Sequence, residues 1–173
     1  MFGDQNIYFT TATIHKWLNL FEKDKYKDVL ISSLRQLIQD ERLYVYAFVV
    51  MPNHLHIIWS ENIRKTKETV KASFFKFTSK QFLKELKQTN PVLLKKFYVD
   101  KNDRKYQFWQ RGSLDIEIYS EKIFEQKLNY IHNNPLQSKW NLAERPVDYK
   151  YSSAKFYEEG IDEFGILTSY YLI

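Results

Sequence analysis

The 173-residue sequence contains no cysteine. Disulfides and thiolate metal sites are therefore excluded, and any bound metal must be held by nitrogen or oxygen ligands. Glycine and proline are scarce, at four each, which argues against long flexible linkers. No apolar run approaches the ~20 residues that cross a bilayer, so no membrane partner is expected. The stretch from Met1 to Thr13 has no basic region followed by an apolar core, so no signal peptide is expected and the cytoplasm is the expected location. Histidine is also rare, with four in the chain, yet two of them stand one residue apart.

What is abundant is aromatic side chains: 13 Tyr, 13 Phe and 4 Trp. The size and composition suit one domain with a real core. The net charge of +5, from 26 basic and 21 acidic residues, is weak evidence for a polyanionic partner until its distribution is known. Ile7 to Thr13 reads as a strand. Leu30, Leu34, Leu37 and Ile38 recur at helical spacing within Asp24 to Gln39. Leu43 to Val50 is a buried-strand run, Met51-Pro52-Asn53 supplies turn chemistry, and His54 to Ser60 is the returning strand. Thr66 is the expected cap of a helix from Lys67 to Leu86, with Val70, Phe74, Phe77, Phe82 and Leu86 as its apolar stripe. Tyr98 to Lys105 reads as a polar loop, and Gln107 to Tyr119 as a strand interrupted near Gly112. Ser120 caps a helix from Glu121 to about Asn133, stopped by Pro135, and a short helix is expected near Ser152 to Glu159. The order β-α-β-β-α-β is the split βαβ pattern, so an α+β, ferredoxin-like antiparallel sheet with an added C-terminal, tyrosine-bearing helix is expected, with one sheet face open. Residues 1–140 form the expected catalytic domain, and residues 141–173 an extension packed on it.

Alternate residues of a strand point to one face, so His54 and His56 start roughly 6–7 Å apart on the same side and can converge on one metal ion. Leu55 then faces the core. The plain alternative is a turn-capping histidine and a half-exposed strand histidine. On the helix after Ser120, Phe124, Leu128 and Ile131 form the packing stripe. Tyr130 lies beside it, with Gln126 and Lys127 one turn before and Asn133 or Asn134 one turn after. Among 13 tyrosines, a packing role for Tyr130 is the competing reading, and His132 reads as a helix-end cap. Lys76, Lys80, Lys84 and Lys87 form a basic stripe that reads equally as a phosphate-binding row or a solvated face. In the segment Phe108 to Gly112, Trp109, Gln110 and Arg111 combine groups that stack on and hydrogen-bond to bases, although Trp109 is equally a core candidate. Asp115 either orients a catalytic group or faces water.

Three stretches, in this order, resemble the single-tyrosine transposases of the HUH type (histidine, hydrophobic residue, histidine), and among them the REP-associated tyrosine transposases. They are Val49 to Ile57, Phe108 to Gly112, and Tyr130-Ile131-His132-Asn133-Asn134-Pro135. Tyr8 to Thr11, Glu144 to Tyr149 and Ser152-Ser153 add to the resemblance, which spans nearly the whole chain. It implies that His54 and His56 bind a divalent metal, Mg²⁺ or Mn²⁺, and that Tyr130 is the nucleophile. It also implies a polar third ligand one turn after the tyrosine, Asn134 first and Asn133 second, where related enzymes have Gln. The DNA contacts are then Lys76, Lys80, Lys84, Trp109, Gln110, Arg111 and Lys127, and the partner is single-stranded DNA beside a hairpin. A free tyrosine ionises near ~10, and a neighbouring cation favours the phenolate. Attack on phosphorus then yields a 5′-phosphotyrosine and a free 3′-hydroxyl, with no ATP consumed. Some members dimerise and set the tyrosine helix against the partner's histidines, while others act as monomers. Two competing functions are a non-catalytic single-stranded nucleic-acid-binding protein and a metal-dependent phosphoesterase that uses water.

Overall fold

The computed structural model describes residues 6–62 and 68–172. Strand β1 spans Ile7–Thr13, helix α1 Asp24–Gln39, β2 Leu43–Met51, β3 His54–Glu61 and α2 Val70–Thr89. A short helix α3 (Pro91–Lys95), a hairpin of β4 (Tyr98–Lys101) and β5 (Arg104–Tyr106), strand β6 (Leu114–Glu117), helix α4 (Glu121–Asn133) and helix α5 (Ala154–Glu159) complete the order. The main sheet runs β2-β3-β1-β6, and every neighbouring pair is antiparallel. That is the split βαβ arrangement anticipated from the sequence, with α3 and the β4–β5 hairpin inserted before the last strand. The segment read as a polar loop is thus a small hairpin. Its strands are only four and three residues long and largely exposed, so they carry little of the apolar alternation by which strands are recognised.

Both faces of the sheet are buried. Leu55, Ile57 and Trp59 of β3 and Val45, Phe48 and Val50 of β2 pack under α1 and α2, together with Leu30, Leu34, Phe74 and Phe82. On the other face Phe9, Ala47, Val49, Met51 and Ile58 meet Phe124, Leu128 and Ile131 of α4. The expected open face is therefore closed by the tyrosine-bearing helix. In α2 the buried positions are Val70, Phe74, Thr78, Phe82 and Leu86, a strict four-residue spacing. Phe77, one residue off that row, is exposed rather than packed. Thr69 caps α2 by accepting from Ala72 N; the expected cap Thr66 and first residue Lys67 lie outside the described residues. The chain after α4 returns to the outer edge of β2. Val50 N donates to Tyr151 O at 2.9 Å, Ser153 N to Phe48 O at 2.9 Å and Thr168 N to Val45 O at 2.8 Å. An edge that would otherwise present unpaired backbone groups is thereby covered. Among the described residues no helix is long and apolar enough to cross a membrane.

Candidate active site

His54 and His56 share the face of β3 that looks at α4, while Leu55 faces α1 and α2. The cross-strand partner of His56 is Thr11, and that of His54 is Thr13. Both imidazoles are buried, at 6% and 4% exposure, and their ring centroids are 4.6 Å apart. Each ring is held at Nδ1. His54 Nδ1 lies 2.7 Å from Asn53 Oδ1. A carboxamide oxygen only accepts, so Nδ1 carries the proton and the lone pair is at Nε2. His56 Nδ1 lies 2.8 Å from the Thr11 hydroxyl, which fixes the same tautomer when Nδ1–H donates. Such partners set ring orientation and basicity in metal-binding histidines. Burial lowers the pKa of His54 to about 4, helped by the charge of Lys139. Burial lowers that of His56 to about 3, helped by His54, Lys127 and Lys139. Both rings are therefore neutral at physiological pH, the form that ligates metal.

Two buried polar atoms here lack a hydrogen-bond partner: His56 Nε2 and Asn134 Oδ1. Asn134 is 1% exposed, and its side chain acts on His54, opposing the lowering of its pKa by burial. It follows α4 in a helical conformation, so the Asn-Pro junction does not turn it away. Asn133, the second choice from the sequence, is exposed and bonds back to Asn129 O. Unsatisfied buried polar atoms are costly unless something completes them. Two neutral imidazoles and an amide oxygen, buried together, suit a divalent cation. Among the described residues no three His, Cys, Asp or Glu side chains form such a group, and the orphaned Asn134 Oδ1 is the buried side-chain oxygen that fits a third position.

Tyr130 lies against the same cluster. Its ring is 5.0 Å from that of His56, edge to face, and 6.1 Å from Phe9, yet the residue is 45% exposed. One turn earlier, Lys127 Nζ stands 5.0 Å from the Phe9 ring, which itself stacks on His56. Trp140 packs 5.7 Å from His54, and Lys139 Nζ sits over the Trp140 ring. A phenol, two imidazoles, an amide and two ammonium groups thus converge within one chain. Thr11, Asn53, Lys139 and Trp140 were not singled out from the sequence. Only the β1–β3 register, which pairs Thr11 with His56, could have revealed the first of them.

Other candidates lie elsewhere. Trp109 is a core residue, 8% exposed, packed among Phe21, Phe74, Phe75 and Phe82. Its Nε1 donates to Thr78 Oγ1 at 3.0 Å, so no face is left for stacking on a base. Gln110 and Arg111 are exposed beyond it; Arg111 pairs with Asp103 at 3.5 Å. Lys76, Lys80 and Lys84 are exposed on α2, which covers the sheet face opposite the histidines. Asp115 accepts from Thr10 Oγ1 at 2.8 Å and pairs with Lys71, so it orients neither histidine. His132 is buried, not an exposed cap, and its Nε2 lies 2.9 Å from Ser153 Oγ.

No protein-family model matches the chain, and no curated protein matches it. Among solved structures, the chain is similar to a REP-associated tyrosine transposase bound to a REP hairpin, with 20% identity over 92% of this chain and 83% of that one and a TM-score of 0.60. A putative transposase from Deinococcus radiodurans matches at 17% identity over 75% of this chain and 90% of that one, with a TM-score of 0.45. The first likeness shows a shared fold.

Proposed function

We propose that this protein cuts and rejoins single-stranded DNA as a transposase of the single-tyrosine HUH type, with Tyr130 as nucleophile and His54, His56 and Asn134 holding a divalent metal. The observation that carries this reading is the Tyr130 ring 5.0 Å from His56, over a buried site where His56 Nε2 and Asn134 Oδ1 have no partner. The fold shared with a REP-associated tyrosine transposase supports the substrate class, since that protein is bound to a REP hairpin. All the residues of this proposed site come from one chain, which supports Tyr130 acting on DNA bound at its own histidines.

When bound, the metal supplies Lewis-acid polarisation of a non-bridging phosphate oxygen. The chain's own groups do the rest. The exposed Tyr130 phenol gives its proton to solvent and its oxygen forms a bond to phosphorus, while the bond to the 3′-oxygen breaks and that oxygen takes a proton from solvent and leaves as a hydroxyl. The enzyme keeps a 5′-phosphotyrosine, and an incoming 3′-hydroxyl reverses the step. Lys127 and Lys139 place positive charge beside the phosphate, and the neutral imidazoles keep their lone pairs for the metal. Two imidazoles in place of carboxylates make this a softer site than most Mg²⁺ sites, so Mn²⁺ supports turnover at lower concentration than Mg²⁺.

The test is a cleavage assay on single-stranded DNA with a hairpin and unpaired flanks, in Mn²⁺. The wild type yields a free 3′-hydroxyl fragment and a protein-linked 5′ fragment. Tyr130→Phe loses both, and His56→Ala loses both. Cleavage that survives Tyr130→Phe and needs His56 identifies water as the nucleophile and defeats the reading.

A further inference from the structure

Beyond the candidate active site, the turn after β1 carries an unusual combination of features. Lys16 and Trp17 both adopt left-handed backbone angles, φ 57° and 56°, a region that bulky side chains seldom occupy. Surrounding bonds impose this geometry. Ile14 N donates to Asn53 O at 2.8 Å, His15 N to Phe108 O at 2.7 Å and Phe21 N to Pro52 O at 2.9 Å. Asn53 Nδ2 reaches Trp17 O at 3.3 Å. The result holds the Trp17 indole out in solvent, 63% exposed, on a turn fixed at both ends. Strain kept at an exposed aromatic points to use rather than packing.

The groups around Trp17 are those of a nucleic-acid contact. Lys16 N lies 3.4 Å from Gln110 Oε1. Burial lowers the pKa of His15, and the charges of Lys16, Lys101 and Arg104 all act on it in the same direction. His15 Nδ1 sits 3.2 Å from Gln107 Nε2, while His15 Nε2 and Gln107 Oε1 have no partner. The amide nitrogen donates, so His15 Nδ1 accepts, and a buried Nε2–H donor and a buried Gln107 Oε1 acceptor are left over behind the exposed ring. The turn is also coupled to the candidate active site by a single residue, since Asn53 holds the Trp17 carbonyl with Nδ2 and His54 Nδ1 with Oδ1.

We propose that Trp17, with the exposed Lys16 and Gln110 beside it, forms a subsite that stacks an unpaired base of the single strand entering the His54 side of the active site, backed by the half-buried His15–Gln107 pair. The inference rests on the single-stranded DNA reading above. Trp17 takes the stacking role that Trp109, buried in the core, does not fill. Stacking tolerates any base, and the surrounding cations draw in the backbone. The Asn53 link ties the position of the strand to that of the metal ligand.

The experiment measures binding of the full chain to a labelled oligo-dT of about 15 nucleotides and to a blunt duplex of the same length, in Mg²⁺. Tyr130→Phe serves as the background so that no strand is cut. Trp17→Ala weakens oligo-dT binding about tenfold or more, while Trp17→Phe stays within about threefold because a ring remains, and duplex binding is unchanged in both. Thermal melting of Trp17→Ala checks that this exposed position leaves the fold intact. Equal oligo-dT affinity with and without Trp17 overturns this inference alone. Failure of the parent protein to bind oligo-dT at all overturns both it and the single-stranded DNA reading.

Discussion

Thr11 and Asn53 hold the Nδ1 atoms of the two histidines and so orient each ring towards the site. The Asn53 amide oxygen at 2.7 Å fixes the tautomer of His54, and the Thr11 hydroxyl at 2.8 Å holds His56 Nδ1. Thr11→Val keeps the shape and removes the acceptor, so Mn²⁺ affinity is expected to fall about 10- to 100-fold with the fold retained. Isothermal titration with Mn²⁺ reads this out, and an unchanged affinity would show that Thr11 does not orient His56. A third buried ring adds to the acid sensitivity that His54 and His56 confer. Burial holds the pKa of His132 down to about 4 from an ordinary 6.5. Between those values the unfolded chain binds the proton and the folded chain does not, so stability falls as pH drops through that window. His132 contributes at most about 3 kcal/mol to this loss, and His54 and His56 act with the same sign. Denaturation midpoints are expected to decline from pH 6.5 to pH 4, with a shallower decline in His132→Gln. Midpoints flat across that range would refute the buried neutral state.

At the scale of elements, α4 is the piece that makes the site. Phe124, Leu128 and Ile131 set it on the sheet, and Tyr170 stacks on Phe124 at 3.5 Å with planes 5° apart. Phe124→Ala is expected to cost about 3–5 kcal/mol, lowering the thermal midpoint. Below that midpoint it is expected to slow adduct formation more than DNA binding, because the helix carries Tyr130. A variant as stable as wild type would mean α4 is anchored elsewhere. This helix was readable in advance, from its Ser120 cap to its three-residue stripe, because local chemistry bounds it at both ends. So were β1, α1 and the β2–β3 hairpin with its histidines on one face. Trp109 was not, because its burial depends on phenylalanines brought in by α2 and by the Phe21 turn. The covered sheet face and the tail along β2 were equally hidden, since they arise from pairing between distant segments, such as Val50 with Tyr151, that leave no periodic signature. Asn134 was legible as a candidate, but only its burial separates it from Asn133.

For the whole molecule, the layers put the candidate site and the α2 lysine stripe on opposite sides of the sheet. The histidines, Asn134 and Tyr130 lie between the sheet and α4, whereas Lys76, Lys80 and Lys84 lie on α2 across the sheet. A strand held at the first place can reach the second only by wrapping an edge, so any contact of the stripe with DNA is expected at a distance from the cut. The triple change Lys76→Ala, Lys80→Ala, Lys84→Ala is expected to reduce the salt dependence of hairpin-DNA binding by about two to three counterions. The rate at saturating DNA is expected to stay the same. An unaltered salt slope assigns the stripe to solvent. The central claim, that Tyr130 is the residue joined to DNA at its own chain's histidines, is tested most directly by mass spectrometry. Protein incubated with Mn²⁺ and single-stranded hairpin DNA is digested, and the nucleotide-bearing peptide is sequenced. The account predicts a 5′-phosphate ester on Tyr130 and on none of the other twelve tyrosines. A nucleotide on any other residue, or cut DNA with no linked peptide, would contradict it.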